Sequence, residues 1–172
     1  DVEPADALEV AGPQRHVLDP HRARAARVPA CQPSSRASHP LAPIPDADVA
    51  AFWRDGVICL RGLFDADWIE HMRAAVEDDL AHPGPLAREY ATKAGQRFLG
   101  DIGAWAVKPG LRKYVEESPA AEIAARMLKS RKVNFLYDQL FVKEPGTAAV
   151  TPWHQDGPYW PVRGDQILSI WL

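Results

Sequence analysis

Apolar residues along this chain follow two rhythms. Up to about residue 129 they recur every three or four positions, as on one face of a helix; beyond it they alternate, as in a strand. "PDADVAAFWRDG" predicts a helix with Asp46 as N-cap, Val49, Phe52 and Trp53 on one face, and Gly56 as the stop. "VICLRGL", residues 57–63, predicts a short buried strand. "DADWIEHMRAAVEDDL" predicts a second helix with Trp68, Ile69, Met72, Val76 and Leu80 on its apolar face. Asp67 and Glu70 have capping-box spacing, with Asp in place of Ser/Thr. The run Glu77, Asp78, Asp79 falls mostly off the apolar face and reads as a solvated helix end, and His71 falls on the polar side. "HPGPLAREY" is a loop, with His82 facing water. Residues 109–129 read as two short helices. Ser118 caps the second, Pro119 takes its first position, and Ile123, Ala124, Met127 and Leu128 turn inward.

"KVNFLYDQLFVK", residues 132–143, has strand alternation: Val133, Phe135, Tyr137, Gln139, Phe141 and Lys143 on one face, Asn134, Leu136, Asp138, Leu140 and Val142 on the other. "EPGT" is a turn. "VTPWHQD" and "DQILSIWL" read as further short strands. Helices first and strands later predict an α+β fold, a helical flank packed on an antiparallel β domain. No internal repeat is present.

Composition changes the picture near residue 45. Residues 1–45 hold 8 of the 16 prolines and no Phe, Trp or Tyr. Such a stretch cannot bury enough apolar surface to offset its ordering entropy, so residues 1–44 are expected to be a disordered or non-native tail ahead of a domain over 45–172. His16, His21 and His39 in it share no spacing and are expected to be solvent-exposed. The net charge of −3 with no basic run argues against nucleic acid or an acidic membrane as partner. No apolar run is long enough to span a bilayer, and no secretory signal pattern is present. Asp1, Glu3, Asp6 and Glu9 count against a transit peptide. Cys31 and Cys59 form neither a metal pattern nor a disulfide framework, so a cytoplasmic setting is expected. The chain begins at Asp1, has only Met72 and Met127, and ends inside the apolar run "QILSIWL". It is therefore expected to be a piece of a longer product.

The candidate chemistry lies in "TPWHQDGPYWP", residues 151–161. In a strand, residues two apart point to one face, so His154 and Asp156 can aim an imidazole nitrogen and a carboxylate oxygen at one point. Such a pair supplies two corners of a 2-His-1-carboxylate triad, which holds Fe(II) and leaves positions open for a chelating co-substrate and O2. The same spacing also suits a surface His–Asp hydrogen bond. Trp153, Tyr159 and Trp160, stiffened by Pro152, Pro158 and Pro161, either wall such a metal from solvent or are ordinary core or lid.

"NFLYDQLFVKEPGTAAVTPWHQDGPYWPVRGDQILSIWL" resembles the phytanoyl-CoA dioxygenase family of Fe(II)- and 2-oxoglutarate-dependent oxygenases. The elements that carry the resemblance are a strand ending in Lys before a Pro-Gly turn, then "WHQD", "PYWP" and a strand ending in Trp. It is strong over 132–172 and weaker back through "FWRDGVICLRGLF", residues 52–64. The resemblance implies His154 and Asp156 as iron ligands, with Gln139 and Trp171 as co-substrate contacts. Lys143 and Arg97 are weaker candidates for the 2-oxoglutarate site, since each also suits a solvated or paired charge. It implies a double-stranded β-helix, a jelly-roll-like pair of sheets with helices outside, here incomplete. The implied reaction couples oxidative decarboxylation of 2-oxoglutarate, giving succinate and CO2, to hydroxylation of a small organic or acyl-type substrate by O2. Asp156 separates the chain from related halogenases, in which that position is small.

The family pattern continues with a second histidine ligand and an arginine for the 2-oxoglutarate carboxylate. Neither is matched here: no histidine follows His154. The chain by itself is therefore expected to bind Fe(II) weakly and to show no turnover. A non-catalytic β-sandwich binding or interaction domain is the alternative reading. Substrate identity and oligomeric state have no signature in the sequence.

Overall fold

In a computed structural model of the chain, residues 7–11, 37–90, 97–147 and 150–172 are described. The chain divides into two compact units, one formed by 1–65, 118–134 and 154–172, the other by 66–117 and 135–153.

In the first unit, helix α1 (Asp46–Asp55) buries Val49 and Phe52, and Gly56 ends it at φ 81°, donating its N–H to the Phe52 carbonyl at 2.8 Å. Glycine adopts that left-handed conformation without a Cβ clash, so the expected stop is the observed one. The expected N-cap is displaced by one residue: Pro45 occupies it, and Asp46 is the first helical residue, with its carboxylate 2.6 Å from the Arg126 guanidinium. Arg126 lies on α4 (Ala120–Met127), whose Ile123 and Met127 are fully buried, and it also donates twice to the Ile44 carbonyl. The expected cap of α4 is displaced by one residue as well: Pro119 takes the N-cap position and Ala120 is the first helical residue, while Ser118 Oγ accepts from the Ala120 N–H at 3.3 Å. Trp53 Nε1 donates to the Met127 carbonyl at 2.7 Å, tying α1 to the end of α4. Strand β2 (Val57–Arg61) is only half-buried, with Leu60 inside and Val57 outside. It pairs antiparallel with β1 (Ala7–Ala11), which pairs in turn with β6 (Ser169–Trp171), giving the order β2-β1-β6. Two pieces of the expected tail thus belong to this unit: β1 and the segment from residue 37, where Ile44 is buried and Leu41 donates to the Leu63 carbonyl. His39 is exposed, as expected, and pairs with Glu122 at 2.5 Å. His16, His21, Cys31 and most of the tail assignment lie outside the described residues; Cys59 carries a free, exposed thiol.

The second unit sets α2 (Ala66–Ala81) and α3 (Pro109–Glu117) beside a sheet of β3 (Arg88–Glu89), β4 (Phe98–Ile102) and β5 (Gln139–Lys143), in the order β3-β4-β5 and antiparallel throughout. Trp68 is fully buried, with its ring edge-on to both His71 and Tyr114. His71 is not idle on a polar face: its Nε2 donates to the Gly110 carbonyl at 2.8 Å, so that nitrogen carries the proton. A Cβ at Gly110 would lie 2.9 Å from Ala75 Cβ; the missing side chain lets α2 and α3 approach. The strand expected over 132–143 is regular only from Gln139. Before that, Asp138 is tied to a turn, its Oδ2 accepting from the Trp105 N–H at 2.9 Å and its carbonyl from the Gly103 N–H at 3.2 Å. The backbone is held by that turn and not by a ladder. From 139 onward the alternation holds: Gln139, Phe141 and Lys143 are exposed, Leu140 and Val142 partly buried. The acidic run at the end of α2 is not wholly solvated, because Asp79 is fully buried.

The fold is therefore mixed helix and small antiparallel sheet, of the α+β class. No helix among the described residues is long and apolar enough to cross a membrane.

Candidate metal centre

Residues 150–155 form no strand; the chain runs irregularly into a 3-10 turn over Gly157–Tyr159. Proline explains the difference. Pro152, Pro158 and Pro161 have no N–H to give a ladder, while Pro158 sits in the first turn of the 3-10 segment, where that donor is not needed. Asp156 precedes the turn at φ −72°, ψ −24°, and its carbonyl accepts the Tyr159 N–H at 2.8 Å. The i, i+2 pairing survives by this different route: His154 Nε2 and Asp156 Oδ1 are 3.2 Å apart, both side chains about half exposed. The Tyr159 ring stands edge-on to the imidazole at 6.5 Å between centroids.

Two donors bound at right angles to one divalent first-row ion, each about 2.1 Å from it, are separated by about 3 Å. One imidazole nitrogen and one carboxylate oxygen at the observed spacing suit Fe(II) as neighbouring ligands. Among the described residues, no third His, Cys, Asp or Glu completes a metal-binding group with them. The expected aromatic wall is also open: Trp153 and Tyr159 are exposed and only Trp160 is partly buried.

The remaining expected residues divide between the units. Trp171 lies on β6 of the first unit, opposite Glu9, about half exposed. Gln139 opens β5 of the second unit, opposite Ile102 and exposed. Lys143 closes β5; its ammonium lies 4.6 Å from the centre of the Phe98 ring and donates to Thr151 Oγ1 at 3.1 Å. Arg97 donates to Glu89 at 2.8 Å and to the Leu80 carbonyl at 2.8 Å, which gives it a structural task.

A second polar cluster includes Asp79, which the sequence places on a solvated helix end and the structure buries. Asp79 and Asp101 are both fully buried in the second unit. The signal was available: Trp68, Met72, Ala75 and Asp79 follow helical spacing on one face, and Asp101 lies two residues after buried Leu99 on β4. Burial, then the charge of Asp101, pushes the Asp79 carboxyl up to about 6. Burial likewise raises Asp138, against the pull of the Trp105 amide.

Searches of curated proteins and of solved structures found no match. The family model described as phytanoyl-CoA dioxygenase matches residues 52–172, from the second half of α1 through the His154–Asp156 pair to the last residue of the chain. The chain belongs to the phytanoyl-CoA dioxygenase family.

Proposed function

We propose that the protein is an Fe(II)- and 2-oxoglutarate-dependent dioxygenase that hydroxylates a small organic or acyl-type substrate, and that this chain supplies the first two iron ligands. The observation that carries the proposal is the 3.2 Å approach of His154 Nε2 to Asp156 Oδ1 inside the region matched by the family. The imidazole presents Nε2, and the carboxylate presents Oδ1 from a backbone held by the 157–159 turn. Trp171 and Gln139 are assigned to the co-substrate. Residues 45–172 are assigned to a catalytic domain of double-stranded β-helix type, acting in the cytoplasm. Bound Fe(II) would supply the oxidising chemistry with O2, driven by decarboxylation of 2-oxoglutarate to succinate and CO2.

Two protein donors hold a divalent ion weakly, so ion binding is the direct test. Titration with Mn(II), followed by the loss of its free-ion paramagnetic resonance signal, is expected to show one weak site. Both His154→Ala and Asp156→Ala are expected to abolish it. Equal binding in wild type and both variants would remove the ligand assignment and favour a non-catalytic β-sandwich binding domain. Where succinate forms from 2-oxoglutarate, it is expected to disappear in His154→Ala.

A further inference from the structure

The second unit contains a titratable pair unrelated to the metal ligands. Asp79 projects from the buried face of α2 and Asp101 from the middle of β4, and neither is exposed at all. The two carboxyls lie within hydrogen-bonding reach of each other. Among the described residues no donor makes a hydrogen bond to either oxygen of Asp79 or to Oδ1 of Asp101; Asp101 Oδ2 accepts the Gly84 N–H at 2.7 Å. Ionised carboxylates are acceptors only, so two facing each other in a dry site repel and leave their lone pairs unused. A single proton between them turns one into a donor and satisfies an oxygen on each.

The surrounding charges do not remove that need. Lys108 Nζ is 3.8 Å from Asp79 Oδ1, but it is nearer to Asp78 Oδ2, at 3.1 Å, and also donates to the His82 carbonyl. The His82 ring faces Asp78 at 3.3 Å. Asp138 adds negative charge on the Asp101 side. One ammonium is thus shared between two carboxylates and a backbone carbonyl.

We infer that Asp79 and Asp101 hold one proton in common, and that this proton is a pH-sensitive latch fixing the end of α2 and the loop at 82–87 onto β4. The connection to the loop is the Gly84 N–H on Asp101, and the approach there is close: a Cβ on Gly84 would come within 2.5 Å of Asp101 Oδ2. The same loop, through Pro85, Leu86 and Ala87, forms one wall of an open groove completed by Arg88, Tyr90 and Ile102. Loss of the proton places two charges face to face, and the relief is movement of the Asp101 carboxylate off Gly84 or of the α2 end off β4. The groove then loses that wall.

The direction follows from burial. The folded protein raises Asp79 from 3.8 to about 6, so it binds the proton more tightly than the unfolded chain does. The latch is complete below about pH 4 and is lost as pH rises through about 6. A difference of about two pKa units corresponds to a change of up to about 100-fold in the opening equilibrium.

Amide hydrogen exchange of Gly84, Leu86 and Ala87, corrected for the intrinsic pH dependence of exchange, tests this in the chain at pH 4.5 and 8. Protection is expected to fall at least about 10-fold at the higher pH, within the limit set by linkage. Asp79→Asn supplies a permanent donor to Asp101 and is expected to keep protection equal at both pH values. Lys108→Met removes the ammonium 3.8 Å from Asp79 and is expected to move the midpoint to higher pH. Wild-type protection independent of pH, or a Lys108→Met midpoint that does not move, overturns the inference whether or not Asp79→Asn folds.

Discussion

Gly110→Ala tests the contact on which the helical half of the second unit rests. The added methyl would lie 2.9 Å from Ala75 Cβ and 3.5 Å from Ala75 Cα. Neither neighbour can rotate away, since one is a methyl fixed on a helix and the other is backbone. Relief therefore requires α2 and α3 to separate by several tenths of an ångström. Overpacking of this kind costs about 1–3 kcal/mol. Separation also stretches the 2.8 Å bond from His71 to the Gly110 carbonyl, a contact of a type worth about 1 kcal/mol. Replacing a helical glycine returns at most about 1 kcal/mol, and less here because Gly110 is the second residue of α3. The net expectation is a loss of about 1–3 kcal/mol, or about 3–10 °C in melting temperature for a chain of this size. Urea and thermal unfolding by circular dichroism measure it. Ala75→Gly combined with Gly110→Ala restores the space, so the double variant should be more stable than the sum of the single effects by about 1 kcal/mol or more. A Gly110→Ala protein as stable as wild type, or strictly additive single effects, would refute the close-packing argument.

Trp53→Phe removes the indole donor to the Met127 carbonyl while keeping an aromatic ring. It should cost about 1–2 kcal/mol by urea midpoint, and no change would show that the α1–α4 tie is idle. Asp138→Ala leaves the Trp105 N–H without its acceptor and should cost about 1–3 kcal/mol, whereas Asp138→Asn keeps an acceptor and should cost less; equal losses would contradict the bond. The Arg126 guanidinium holds the Asp46 carboxyl below its usual range, so the stability this pair lends persists above pH 3.8 and is lost as pH falls through the lowered value. Asp46→Asn should flatten the acid limb of a stability–pH curve, and an unchanged limb would discount the pair. Tyr159→Pro deletes the N–H that holds the Asp156 carbonyl. It should weaken Mn(II) binding about 10-fold or more if the turn orients the ligand, while Tyr159→Phe, which retains both ring and N–H, should not.

What could be read from the sequence was whatever local chemistry decides. Gly56 ends α1 because only glycine takes φ 81° freely. Ile123 and Met127 repeat at the buried spacing of α4, as their helical period predicts. The strand over 132–138 was misread because alternation describes side-chain direction only. Whether the backbone finds a partner strand or a turn depended on distant groups, the N–H of Trp105 and of Gly103. The strand at Ala7–Ala11 was missed for a related reason. Its partners, β2 and β6, lie about 50 and 160 residues away, and composition averaged over the first 44 residues hid a short apolar run.

The metal pair carries the same lesson in the opposite sense. Strand geometry predicts His154 beside Asp156, and residues 150–155 form no strand. The pair still closes to 3.2 Å, in a segment of no regular structure that bends at Asp156 into the 157–159 turn. The prolines that exclude the ladder are the ones that favour this bend. Two residues of complementary charge and suitable reach, two positions apart, meet in either backbone. Two ligands bind a divalent ion and a surface ion pair does not, so ion binding, with its loss in either single variant, is the property that tests the assignment.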